Sequence, residues 1–230
     1  MASPETKASL RSLIERALPC SHAETAQFLV EAARKRTVAA DDTIFRQGEI
    51  MPLVLIVSGY AAFRRTTVDG HQLVFGIVNS GFLFGFSAIS SLVANVDVLA
   101  LTECEVATWY GPDLRRLVGA DPGFALDAIN QQSRFLSAVT EKVEAFLHQD
   151  ARRRVVRVLL QNRDLFHGDP PVLSRSQLPA LVGTSREMTG RVLRQLEREG
   201  LVARVGRSGL KLLKPERLDA AAAPGAVRRR

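Results

Sequence analysis

The stretch Leu173–Val202, LSRSQLPALVGTSREMTGRVLRQLEREGLV, decides how the C-terminal part of this chain folds. Leu178, Leu181 and Val182 recur at helical spacing, Gly183 supplies the positive φ of a tight turn between helices, and Thr184 or Ser185 can cap the helix that follows. In that second helix Met188, Val192 and Leu196 line one side, flanked by Thr189 and Leu193, while Arg186, Glu187 and Arg191 open the other side within two turns. The pattern is that of a helix-turn-helix, whose second helix enters a major groove by its N-terminal residues. Arginine grips O6 and N7 of a guanine with two bonds and glutamate accepts from a cytosine amino group, so these residue types at this spacing point to base reading. Two simpler explanations compete: Glu187 stands three residues after Thr184, as a capping box requires, and two arginines on an exposed helix can be solvated charges. Turn glycine, cap and following hairpin all at helix-turn-helix offsets favour DNA.

Working outward, Leu201–Val205 and Leu210–Leu213 flank Gly206–Gly209 and form a hairpin, the wing. Upstream, a hinge falls at Gln149–Asp150, and Asp150 caps a helix running from Arg152 to Leu165 that residues 167–171 break. Pro179 removes an amide donor and crowds the preceding turn, so the first helix of the motif is kinked or starts late. Charge is partitioned accordingly: residues 151–230 carry net +11, residues 1–150 net −4. A basic module beside a mildly acidic one suits attraction to a phosphate backbone. Ser174, Arg175 and Ser185, with Arg207 in the wing, are the expected backbone contacts, which set affinity and register rather than sequence.

The 230 residues suffice for two modest domains, and no run of about eighteen apolar residues is present to span a membrane. Residues 1–20 lack the apolar core of a signal peptide, which places the chain in the cytoplasm. Cys20 and Cys104 are too few for a disulfide framework, a zinc ribbon or an iron–sulfur cluster. An enzyme would show a nucleophile–base pair, a phosphate loop or metal-ligand spacing, and none is found.

Near the N-terminus, Ser21 and Glu24 form a capping box before a helix containing Ala26–Val30. From about Lys35 to Trp109 the chain reads as strands. Thr43–Phe45, Leu53–Val57, Leu73–Val78 and Val96–Leu101 are punctuated by Gly48, Gly59, Gly70 and Gly81, which implies a sandwich or barrel. A long helical pattern then covers 121–148, with Asp121–Pro122 starting it. Along it Ile129, Ser133, Leu136, Thr140, Val143 and Leu147 alternate spacings of four and three, the stripe of a coiled-coil seam between two copies. The same stripe would also serve to pack on the chain's own β domain.

The run Thr184–Arg191 closely resembles the recognition helix of the cAMP receptor protein branch of the CRP/FNR family of bacterial transcription regulators. Phe45–Glu49, Ile56–Gly59 and Asp69–Gly70 resemble the sensor domain of the same family, and the likeness runs from about Leu10 to Leu218. It implies an α+β fold: an antiparallel β jelly roll over 1–120, a dimerisation helix over 121–148, a winged helix-turn-helix over 150–218 and a disordered tail over 219–230. It further implies a homodimer reading TGTGA-like inverted half-sites in double-stranded DNA through Arg186, Glu187 and Arg191, and it admits RNA polymerase as another partner. The competing class is an effector-binding module whose helix-turn-helix docks a protein partner.

The chain departs from the family in the phosphate cassette of the sensor. Phe86 follows Gly85 where the family has a ribose-binding glutamate, the phosphate-binding arginine is missing, and no Lys or Arg lies between Arg65 and Arg115. A cyclic phosphate needs cations or an amide nest to offset its desolvation, so regulation by cyclic AMP is not expected. An apolar effector would find Phe75, Phe82, Phe84 and Phe86, with Thr140 where relatives contact the adenine; these aromatics also suit ordinary core. His71 follows Gly70 in a hairpin turn and reads as solvated rather than as a haem ligand, and no cofactor is expected.

Overall fold

A computed structural model describes residues 4–168 and 170–222. The chain divides into two units, one of residues up to 69 together with 75–140, the other of 70–74 together with residues from 141 onward.

Up to His148, with residues 72–74 and 141–148 falling in the second unit, α1 (Pro4–Ala17) and α2 (Ala23–Ala32) precede β1 (Arg34–Val38), β2 (Thr43–Phe45), β3 (Leu53–Ser58) and β4 (Tyr60–Thr66). Then come β5 (Gln72–Asn79), β6 (Leu83–Phe84), β7 (Asp97–Ala100) and β8 (Cys104–Trp109), followed by α3 (Gly111–Ala120) and α4 (Pro122–His148). The strands form two sheets, ordered β1-β8-β3-β6 and β2-β7-β4-β5, with antiparallel pairing. Neighbours far apart in sequence are the crossovers of a jelly roll. The four glycines read as punctuation all stand at positive φ.

β3 explains why its sequence is an unbroken apolar run. Successive side chains of a strand point to opposite faces. Val54 and Ile56 enter the core between the two sheets with Phe63 and Val98. Leu53 and Leu55 enter a second core with Leu10, Leu29 and Phe124 of the helices. β8 repeats the device, with Cys104 and Val106 on one side and Ala107 and Trp109 on the other. Trp109 is buried, and its indole donates to the Leu29 carbonyl at 2.8 Å, tying α2 to the sheet. Each fully buried side chain of this size contributes roughly 1.5–3 kcal/mol.

Asp121 does more than start α4. Its carboxylate accepts from the amides of Gly123 (2.8 Å) and Phe124 (3.3 Å), the N-cap role, and also from the His22 amide (2.8 Å) and the Thr25 hydroxyl (2.5 Å). One buried carboxylate thus serves the N-termini of both α2 and α4. The expected capping box of α2 does not form: Ser21 donates to Asp127 at 2.8 Å, and His22 occupies the cap position. Burial pushes the Asp121 carboxyl up, but the bonds from Thr25, His22, Phe124 and Gly123 together outweigh it and hold the group below its ordinary value. A carboxylate with a depressed folded pKa stabilises the fold above its unfolded pKa, and the contribution is lost as pH falls through the folded value. Asp121→Ala should therefore cost about 3 kcal/mol near neutral pH, a lost cap plus orphaned buried donors. In denaturant titrations the gap from wild type should close as pH drops below about 4; a gap constant with pH would refute the account.

In the second unit Asp150 caps α5 (Ala151–Gln161) through the Arg153 amide at 2.8 Å, at the expected hinge. The helix expected to reach Leu165 breaks at Asn162, whose φ of −125° leaves helical space, and α6 (Arg163–Phe166) follows. α7 (Leu178–Val182), α8 (Arg186–Arg198), β9 (Val202–Val205), β10 (Gly209–Leu212) and α9 (Pro215–Ala222) complete it. α9 packs on α5 and buries Leu218, so the segment read as a disordered tail from 219 is helical to Ala222; the tail's remaining residues, 223–230, lie outside the described ones. No helix among the described residues is long and apolar enough to cross a membrane.

Candidate nucleic-acid interface

The helix-turn-helix is assembled by three local devices. A 3-10 turn at Arg175–Gln177 precedes α7, and Pro179 occupies its first turn, so the helix starts late rather than kinking. Gly183 ends α7 at φ +68°, and a Cβ there would stand 2.4 Å from the Phe146 ring, so conformation and space both exclude a side chain. Ser185 caps α8, accepting from the Met188 amide at 3.1 Å.

That cap decides between the explanations of Glu187. With Ser185 at the cap, Met188 takes the capping-box position, and Glu187 pairs instead with Arg191 at 2.8 Å. Both partners are exposed, and such pairs are worth about 0–1 kcal/mol, a small cost to exchange for base edges. Arg186, Glu187 and Arg191 share the solvent side of α8, opposite buried Thr189, Val192, Leu193 and Leu196. Met188, read as part of the buried stripe, is only half-buried, and Thr189 takes the deeper place, its hydroxyl donating to the Ser185 carbonyl at 3.0 Å.

β9 and β10 pair antiparallel as the expected wing, with Arg207 exposed in its turn. Arg175 is spent largely on that wing: its amide donates to the Ser208 carbonyl (2.9 Å) and its guanidinium to the Arg207 carbonyl (2.6 Å). Arg204 binds Glu197 of α8 at 2.8 and 3.2 Å, fixing wing to recognition helix. Neither anchoring contact was anticipated from sequence. Ser174 is also engaged, its hydroxyl 2.6 Å from that of Ser176.

On α4 the apolar stripe is bare in the single chain. Ile129 is 62% and Leu136 66% exposed, so within the first unit these two do not pack on the β domain; Val143 is 49% and Leu147 72% exposed. Ser133 and Thr140 are exposed between them, and the Thr140 hydroxyl donates to the Leu136 carbonyl at 2.9 Å.

Of the residues proposed for an effector pocket, Phe75 and Phe84 share one core, Phe86 lies in another and Thr140 is exposed on α4. Phe84 lies in the core between the sheets, edge-on to Phe63 at 4.9 Å, and Phe75 packs against the same core. Phe86 lies in the other core, 6.0 Å from Phe124. The divider is Gly85, in the left-handed region at φ +93°, where a Cβ would meet the Pro52 carbonyl oxygen at 2.3 Å. Amides of the degenerate cassette are already used: Ala88 donates to Gly85, Ser91 to Ala88 and Leu92 to Ser87. Arg115 of α3 does reach this segment, donating to the Ile89 carbonyl (3.2 Å) and the Ser91 hydroxyl (3.3 Å). Those acceptors, together with Leu114 and Leu117 in the helical core, bring it in from α3.

Comparison with known proteins agrees with this architecture. Residues 35–121 match the cyclic nucleotide-binding domain and residues 153–221 the Crp-like helix-turn-helix domain. The chain is 30% identical over 187 residues to the cAMP-activated global transcriptional regulator Vfr of Pseudomonas aeruginosa, covering 76% of this chain and 87% of that one. It is 31% identical over 196 residues to the CRP-like protein Clp of Xanthomonas campestris, covering 79% and 85%. The solved structure of a c-di-GMP responsive regulator, CLP of Xanthomonas campestris, superposes with a TM-score of 0.70 at 28% identity, covering 83% of this chain and 99% of that one.

Proposed function

The chain belongs to the CRP/FNR family of DNA-binding transcription regulators, and from that premise we propose that it acts as a homodimer, reads TGTGA-like inverted repeats and is not controlled by cyclic AMP. The observation that carries base reading is the exposure of Arg186, Glu187 and Arg191 on the first two turns of a helix whose other side is buried. Arg186 and Arg191 take guanines, Glu187 takes a cytosine amino group, and Ser174, Ser185 and Arg207 contact phosphates. Arg175 adds to this by holding the wing turn in place. The bare stripe Ile129, Ser133, Leu136, Thr140, Val143, Leu147 covers itself against a second copy, and a two-fold dimer presents two α8 helices to half-sites about one DNA turn apart. RNA polymerase is the further partner such a regulator would engage.

Independence from cyclic AMP rests on Phe86, which is buried against Phe124 instead of offering a carboxylate to a ribose, and on the Ala88, Ser91 and Leu92 amides, which already donate within the chain. Wild-type protein should bind an inverted TGTGA repeat in fluorescence anisotropy far more tightly than a scrambled duplex, with no added nucleotide. Cyclic AMP should give no saturable heat in calorimetry and leave the DNA affinity unchanged. A tenfold gain on adding it, about 1.4 kcal/mol of coupling, would overturn that part of the reading; equal binding to both duplexes would overturn base reading.

A further inference from the structure

The first unit concentrates cations at a place that neither the DNA reading nor the cassette uses. β1 is the edge strand of one sheet and β2 of the other, and a cleft of about 450 Å³ opens where these edges face each other. Arg34, Lys35, Arg36 and Arg46 line it, with Phe45 and Tyr110. Glu49 is the one carboxylate in the lining, and it accepts from the Arg46 amide at 3.1 Å.

Two of the arginines are held over rings. The Arg34 guanidinium lies 4.8 Å from the centre of Tyr110, and that of Arg36 lies 4.9 Å from the centre of Phe45 while donating to the Ile44 carbonyl. A guanidinium has five N–H donors, so this stacking fixes the planes and leaves most donors unspent. The Lys35 ammonium is already paired with the Glu105 carboxylate at 3.8 Å, outside the lining, so the arginines are the cations the cleft has to offer.

We propose that this cleft binds a phosphate-bearing small molecule of nucleotide size. Arginine forks match phosphate oxygens two at a time, three arginines face one carboxylate in the lining, and the volume lies in the range of small-molecule sites. Basic residues also guard edge strands against pairing with other chains. That role needs only dispersed, solvated charges; it leaves unexplained why two guanidiniums are stacked on rings around one concave opening. An acidic protein surface would seek the same charge, but a concave site is filled better by a small anion. The proposal does not depend on which DNA sequence α8 reads.

The test is calorimetry of the full chain with GTP as probe and guanosine as uncharged control, in phosphate-free buffer. One GTP per chain is expected, with no saturable heat from guanosine. Arg36→Ala with Arg46→Ala should weaken GTP at least tenfold, whereas Arg207→Ala in the wing should leave it unchanged. Arg46 is exposed, so Arg46→Ala alone should weaken GTP several-fold with an unaltered melting temperature, which separates loss of the site from loss of the fold. Absence of saturable GTP binding, equal binding of guanosine, or full affinity in the double variant would overturn the proposal. So would loss in Arg207→Ala alone, which would put the phosphate on the DNA-binding unit, or cleft-dependent binding of a polyglutamate peptide with none of GTP.

Discussion

Glutamate at both Leu136 and Val143 should convert the protein into a monomer and lower its affinity for a two-half-site operator by ~100-fold or more, because the second half-site then no longer binds at high effective concentration. Leu136 is 66% and Val143 49% exposed in the single chain, so in a dimer each would bury area against the partner helix worth roughly 1.5–3 kcal/mol, counted once per copy. Four carboxylates along one two-fold seam would replace that gain with repulsion. Both positions point to solvent, so folding should change by less than about 0.5 kcal/mol. Light scattering should report the monomer, circular dichroism an unchanged helix content with a melt lowered by no more than the lost dimer linkage, and anisotropy an isolated half-site bound as by wild type. A double variant that stays dimeric, or a monomer with undiminished operator affinity, would exclude α4 as the dimer seam.

What was legible from sequence and what was not divide along a physical line. Gly183, Ser185 and the apolar residues of α8 act over a few positions, and there the reading matched: a left-handed glycine, a side-chain cap and a buried stripe. Asp150, Asp121 and the late start imposed by Pro179 were legible for the same reason. Ser21 was misread because its acceptor, Asp127, lies 106 residues away, and nothing local announces that competitor. Phe84 and Phe86 were grouped as nearby aromatics able to line an apolar pocket. Gly85 separates them by turning the chain, so one ring faces each core. The Arg34–Lys35–Arg36 run was not singled out from sequence, because its relation to Phe45 and Tyr110 depends on two strand edges of different sheets. Disorder was read from the alanine-rich composition after 218, yet burial of Leu218 against α5 carries helix to Ala222.

Alanine at Arg191 or at Arg186 should each cost about 1–3 kcal/mol of binding per half-site, roughly 5- to 150-fold, and the cost should depend on the DNA. The loss follows from geometry. Each guanidinium starts from an exposed position on the first two turns of α8, with at most the weak Glu187 pair to give up, so nearly all of its bonding capacity is free for a guanine edge. Against a duplex in which that guanine is replaced, the same variants should lose little, since the contact is already gone. Glu187→Ala should behave differently. It removes an acceptor for a cytosine amino group but also releases Arg191, so discrimination at the cytosine should relax more than overall affinity falls. Arg207→Ala supplies the control: a phosphate contact should weaken every duplex alike and reduce the slope of log affinity against log salt by about 1. The decisive measurement is a matrix of these four variants against operator and single-base-substituted duplexes at two salt concentrations. If Arg191→Ala and Arg207→Ala show the same uniform pattern, then Arg191 is a backbone contact and α8 does not read bases through it.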